Sequence, residues 1–128
     1  MLFDPLFARL RRERFLGGFN IPSPGPFKGR TSVPRSWGEL LVEPGALLLG
    51  PRIDALALIV PETRLAADDV LVVCPTRADL LGTTTGVAIV RDDAVPLYFW
   101  TRSPDPVLTA LAAHGFRVSR RPVEVSAA

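Results

Sequence analysis

Val95 to Val118, VPLYFWTRSPDPVLTALAAHGFRV, carries the strongest structural signals in the chain. Val95 to Trp100 is β-branched and aromatic, so it is expected to be a strand. Ser103 then suits an N-cap, and Pro104 fits the first helical position, where its missing N–H had no partner anyway. Asp105 places negative charge at the positive end of the helix dipole. Val107, Leu108, Leu111 and Ala112 share one face, and Gly115 stands where a left-handed residue ends a helix. The stretch predicts a strand, a sharp turn and one amphipathic helix, Pro104 to His114, closing a mostly β domain.

Working outward, the 128 residues suit one domain with a real core. Thirteen prolines and ten glycines cut the chain into short elements, which favours strands and turns over long helices. Strands are expected at Glu39 to Val42 and Ala46 to Leu49 around a Pro44-Gly45 turn, at Ala55 to Val60, and at Thr63 to Ala67 before Asp68-Asp69. Val70 to Cys74 reads as a buried run and Thr76 to Thr85 as a loop. Gly86 to Arg91 and Val95 to Thr101 read as a hairpin, and Phe116 to Val118 with Val123 to Val125 as a trailing extended segment.

The N-terminal part reads differently. Residues 1–37 hold seven basic side chains (Arg9, Arg11, Arg12, Arg14, Lys28, Arg30, Arg35) against Asp4 and Glu13, about +5, so with +2 overall the rest carries about −3. Asp4 and Pro5 suit the start of a short helix running to about Leu16 and stopped by Gly17-Gly18. Leu6, Phe7 and Leu10 would share its apolar face, with Arg9, Arg11, Arg12 and Arg14 supplying charge. Two uses stay open for it: a contact with a partner or an anionic membrane surface, or packing on its own domain. Ile21 to Pro34 reads as a Pro/Gly/Ser linker, so residues 1–36 are expected to form a basic arm and 37–128 the β domain.

The order of elements carries a resemblance. VAIVRDDAVPLYFWTRSPDPVLTALAAHGFRV is similar to the end of small bacterial pleckstrin-homology-like (PH-like or GRAM-like) domains, and LAADDVLVV to a segment in their middle. Over about Trp37 to Val118 the resemblance implies a mainly β (α+β) fold: a partly open barrel of about seven short antiparallel strands capped by one C-terminal helix. It also implies headgroup or protein binding. Family members that read phosphoinositides present lysines and arginines in the first interstrand loop, and here that loop is taken as Glu43-Pro44-Gly45, short and acidic. Protein contact or self-association through the arm or a sheet edge is therefore the expected function, without catalysis.

Little else points to chemistry. Cys74 is the sole cysteine, which excludes an intramolecular disulfide, and its apolar neighbours suggest an inert buried thiol. His114 is the sole histidine, and nothing in the spacing brings it to Cys74. Asp68-Asp69 and Asp92-Asp93 read as turn formers, since adjacent side chains on an extended backbone point opposite ways. With one cysteine and one histidine no zinc site is expected, and no cofactor. Gly82 to Gly86 lacks a P-loop's lysine and helix start. Tyr98 and Trp100 should share one face and Phe99 the other, with only Arg91 and Arg102 as cationic neighbours, so no nucleic-acid partner is expected. The early Asp4 and the arginines that follow are unlike a signal peptide, and a cytoplasmic location is expected.

Overall fold

The computed structural model describes residues 12–22, 30–57, 59, 60, 62–79, 83–92 and 95–121. Seven antiparallel strands form one sheet: β1 (Glu13–Pro22), β2 (Arg30–Glu43), β3 (Ala46–Pro51), β4 (Thr63–Ala66), β5 (Val70–Asp79), β6 (Thr83–Arg91) and β7 (Leu97–Trp100). A single helical turn, α1 (Asp54–Ala57), joins β3 to β4, a 3-10 turn at Ala67–Asp69 joins β4 to β5, and α2 (Pro104–Ala113) follows β7. Across the sheet the order is β4-β3-β2-β1-β7-β6-β5, so β4 and β5 are its edges and the sheet stays open. The protein is mainly β with one longer C-terminal helix among the described residues.

Strand β1 joins the two halves of the sheet. Its first half pairs Glu13↔Val42 through Gly17↔Gly38, and its second half pairs with β2 at Phe19↔Val33 and with β7 at Phe19↔Phe99. Between these registers β2 carries four residues, 34 to 37, opposite the single Gly18, three more than a regular ladder holds. Pro34 has no N–H to lose from the ladder, so a proline at such a bulge costs no rung. The resulting bend lets one long hairpin serve both halves. Phe19, Ile21, Val33, Leu40, Val42, Leu47, Leu49, Val73, Val87, Ile89, Leu97 and Phe99 point inward at alternate positions.

Helix α2 covers the opening with Val107, Leu108, Ala110 and Leu111. It ends in a Schellman motif: Phe116 N donates to Leu111 O (2.9 Å), Gly115 N to Ala112 O (3.3 Å), and Gly115 has φ +99°. Phe116 then returns to the core. Gly45 N donates to His114 O (2.9 Å), which seats the helix end on the β2–β3 turn.

Several expectations need correction. Glu13 to Leu16 are strand, not the end of a helix, and Gly17-Gly18 do not stop one. Gly17 is there for close approach, since a Cβ would lie 2.3 Å from Trp100 O. Ile21, Pro22 and Arg30 to Pro34 belong to strands rather than to a linker, and β2 runs unbroken through positions 36 and 37, where the β body was expected to begin. Residues 1–11, with the rest of the expected N-terminal helix, lie outside the described residues, as do 23–29 and Val123 to Val125.

Ala55 to Val60 is not a strand. Leu56 N and Ala57 N both donate to Ile53 O, and β3's free side is already taken by Thr63–Ala66, so the Ala/Leu-rich segment coils and drops Val60 into the core. Thr76 to Asp79 and Thr83 to Thr85 are strand rather than loop, in keeping with the β preference of threonine. The Pro44-Gly45 turn, the β4 strand, the β6–β7 hairpin and helix α2 fall where expected. Ser103 precedes α2 but makes no side-chain cap, because Pro106 removes the N3 donor such a cap would use.

Candidate functional site

The outer face of β7 begins with its alternation. Leu97 and Phe99 are buried, and Tyr98 and Trp100 are half-buried on the opposite face, the division between faces that was expected. Their rings stack at 5.3 Å with 10° between planes. Trp100 lies across from Gly86 on β6, where a Cβ would stand 2.8 Å from Trp100 Cε3 and 2.3 Å from Phe99 O, so a side chain there would push the strands apart.

The sequence reading missed Arg30. Its guanidinium lies over the Tyr98 ring at 5.1 Å, extending the stack to three planar groups. Arg30 Nε donates to Asn20 Oδ1, and Nη2 donates to Pro96 O and, at 3.3 Å, to Asn20 O. Asn20 in turn donates to Ser32 Oγ (2.7 Å). One cation thus ties together the end of β1, the start of β2 and the segment entering β7.

Arg91, at the end of β6, is a second cation whose charge acts on Arg30. It donates from Nη2 to Val95 O (2.8 Å), and its buried Nε has no acceptor among the described residues. Burial lowers the Arg30 pKa below its ordinary value; Tyr98 works against that shift, and the Arg91 cation works with it. Burial raises the Tyr98 phenol above its ordinary value, Arg30 opposes this, and Cys74 adds to it. Arg30 stays protonated at physiological pH all the same. No carboxylate pairs with either among the described residues. Cations without a carboxylate partner among the described residues, beside an aromatic stack, present positive charge and hydrogen-bond donors of the kind an anion accepts.

The basic residues expected to make contacts are arranged otherwise. Leu6, Phe7, Arg9, Leu10 and Arg11 lie outside the described residues. Arg12 Nε is 3.0 Å from Glu43 Oε2, Arg14 Nε is 2.6 Å from Glu39 Oε2, and Arg64 Nη1 is 2.7 Å from Glu43 Oε1. Arg12 and Arg14 are therefore paired with β2 carboxylates instead of projecting as free cations.

The remaining candidates separate. Cys74 is buried with Sγ 4.0 Å from Ala88 O, on the face it shares with Ala88 and Tyr98. His114 Nε2 lies 3.0 Å from Glu13 Oε2, so its partner is a carboxylate and not Cys74. Asp69 Oδ2 accepts from Ala66 N (3.4 Å) and shapes its turn. Thr85, in the segment considered for phosphate, donates to Thr101 O (2.8 Å) inside the sheet. Among the described residues no group of three or more His, Cys, Asp and Glu could hold a metal, and no helix is long and apolar enough to cross a membrane.

Sequence spacing hides the Arg30 site because its parts lie 66 residues apart and Arg30 fell in a segment read as linker. The position of the first interstrand connection also changes: with β1 at Glu13–Pro22, it is residues 23–29, which hold Lys28 and end at Arg30, and not Glu43-Pro44-Gly45. Compared with protein-family models, curated proteins and solved structures, the chain matches none.

Proposed function

We propose that this protein is a non-enzymatic interaction module of PH-like fold, which engages an acidic or phosphorylated protein segment at the Arg30–Arg91 end of its sheet. Seven strands followed by one helix over the opening support the PH-like reading. The single observation that carries the binding reading is two cations with no carboxylate partner among the described residues: the Arg91 charge acts on Arg30, and the buried Arg91 Nε has no acceptor there. Holding like charges together costs free energy that an incoming anion recovers. The Tyr98–Trp100 stack gives the same partner a flat apolar surface and reports its arrival.

The test is a tryptophan-fluorescence titration with a phosphoserine-containing acidic peptide, in parallel with its serine counterpart carrying no acidic residues. The acidic peptide is expected to bind saturably, more weakly as salt rises, and at least about tenfold more weakly to Arg91→Gln, about 1.4 kcal/mol. Equal binding of both peptides, or an unchanged affinity in Arg91→Gln, would contradict the proposal.

A further inference from the structure

The aromatic stack of β7 does not end the apolar surface on its side of the sheet. On β1 the odd positions enter the core: Phe15 packs against it, and a Cβ at Gly17 would meet the Phe99 ring at 2.9 Å. Leu16 is therefore on the opposite face, with Gly18 and Asn20. Those two pair with Trp100 and Tyr98, which puts Leu16 one place beyond Trp100 on the face that carries the stack. On β2 a Cβ at Gly38 would meet the Phe19 ring at 2.6 Å, so Gly38 faces the core and Trp37 shares the side of Leu16.

Leu16 lies across from Glu39, so Trp37 is its diagonal neighbour on one side as Trp100 is on the other. At that offset, roughly 7–8 Å, aromatic and long side chains are within reach of one another. Leu16 is 51% exposed and Trp37 45%. Two large apolar side chains so exposed, continuous with a half-buried aromatic pair, make a patch and not a scatter of single residues.

Charge is divided unevenly along this file. Arg30 donates to Pro96 O and Arg91 to Val95 O, so both cations sit at the entry to β7, with no carboxylate partner among the described residues. At the far end Arg14, one position beyond Leu16 on the same face, is paired with Glu39 at 2.6 Å. The file is thus cationic at one end and apolar, with its charge cancelled, at the other. From the Arg30 guanidinium to the Tyr98 ring is 5.1 Å, and from that ring to Trp100 5.3 Å. An extended chain advances about 3.3 Å per residue, so a segment along the file reaches Trp100 about three residues from its anionic group and Leu16 about two later.

We infer that the acidic segment is read at two points: its anionic group at the Arg30–Arg91 end, and an apolar side chain about three to five residues away at Trp100, Leu16 and Trp37. Recognition of this kind presupposes the binding reading above and adds a sequence rule to it. Charge alone admits any acidic chain, whereas the apolar contact selects among them.

The test is fluorescence anisotropy of dye-labelled phosphoserine peptides, otherwise glycine and serine, with the full chain. One leucine is placed one, three, four or five residues to either side of the phosphoserine. At three to five residues on one side it should tighten binding at least about tenfold over the leucine-free peptide, and next to the phosphoserine it should not. Leu16→Ser should abolish that gain and leave the leucine-free affinity unchanged, and Trp37→Ser should do the same; both side chains are exposed enough to be replaced without unfolding the sheet. Phosphate-dependent binding with no gain from leucine at any position would overturn this inference and leave the binding reading standing. A gain that survives both variants would overturn it too. No phosphate-dependent binding in any peptide would overturn both. A dimer by light scattering that Leu16→Ser dissociates, or binding to phosphatidylserine vesicles that Trp37→Ser abolishes, would overturn it by giving the patch to a second copy or to a membrane.

Discussion

Two groups of arginines sit on this sheet, and they are treated in opposite ways. Arg12, Arg14 and Arg64 meet Glu39 and Glu43 at 2.6 to 3.0 Å. Among the described residues Arg30 and Arg91 meet backbone carbonyls, an amide side chain and an aromatic ring, and no carboxylate. Exposed pairs of the first kind contribute at most about 1 kcal/mol each, and they leave little net field. The second kind concentrates positive charge where nothing in the described fold answers it. Counting basic residues is therefore not enough: Arg12 and Arg14 are paired with β2 carboxylates, while Arg30 and Arg91, distant in sequence, meet none among the described residues.

Substitutions distinguish the two groups. Gly86→Ala should have the largest effect, because the new methyl meets Phe99 O and the Trp100 ring. A loss of about 1–3 kcal/mol is expected in urea unfolding, with the near-ultraviolet circular dichroism of the stacked rings altered. Asn20→Asp comes next, and converts the second group into the first by giving Arg30 a carboxylate at the position of the present amide oxygen. Anion affinity should fall about tenfold, about 1.4 kcal/mol, while thermal stability holds or rises. Glu43→Gln does the reverse for Arg12 and Arg64. Its cost in stability should stay below about 1 kcal/mol, and it should not create binding of the kind seen at Arg30, since no aromatic stack adjoins it.

The smallest effect is on a titration. Tyr98 ionises above the ordinary phenol range because of burial, with Arg30 holding it down. In Arg30→Gln the Tyr98 pKa should therefore rise further, read by absorbance near 295 nm. The sign for stability follows from linkage: a phenol whose folded pKa is raised contributes fully below the unfolded value of about 10 and loses that contribution as pH climbs through the folded one.

Legibility in the sequence followed the range of the interaction. Helix α2 was readable because Pro104, Asp105, the Val107–Leu111 face and Gly115 are all local signals, and the stretch before it carried the division of Tyr98 and Trp100 from Phe99 between opposite faces. The first strand was not readable, because Gly17-Gly18 resembles a helix stop, and its real cause is the passage of Trp100 and Phe99 more than 80 residues later. Missing β1 in turn displaced the first interstrand connection and hid Arg30 in an apparent linker. The α1 turn was misread for a related reason: whether Ala55 to Val60 pairs with β3 is decided by Thr63–Ala66 occupying that place first.

The most direct measurement is an NMR titration of the full chain with inorganic phosphate, following the arginine Nε–Hε and tryptophan indole resonances at fixed ionic strength. Saturable shifts at Arg30, Arg91 and Trp100, with Arg12, Arg14 and Arg64 still, are the predicted result. Shifts centred on Arg12, Arg14 and Arg64, or spread evenly over all arginines without saturation, would contradict it.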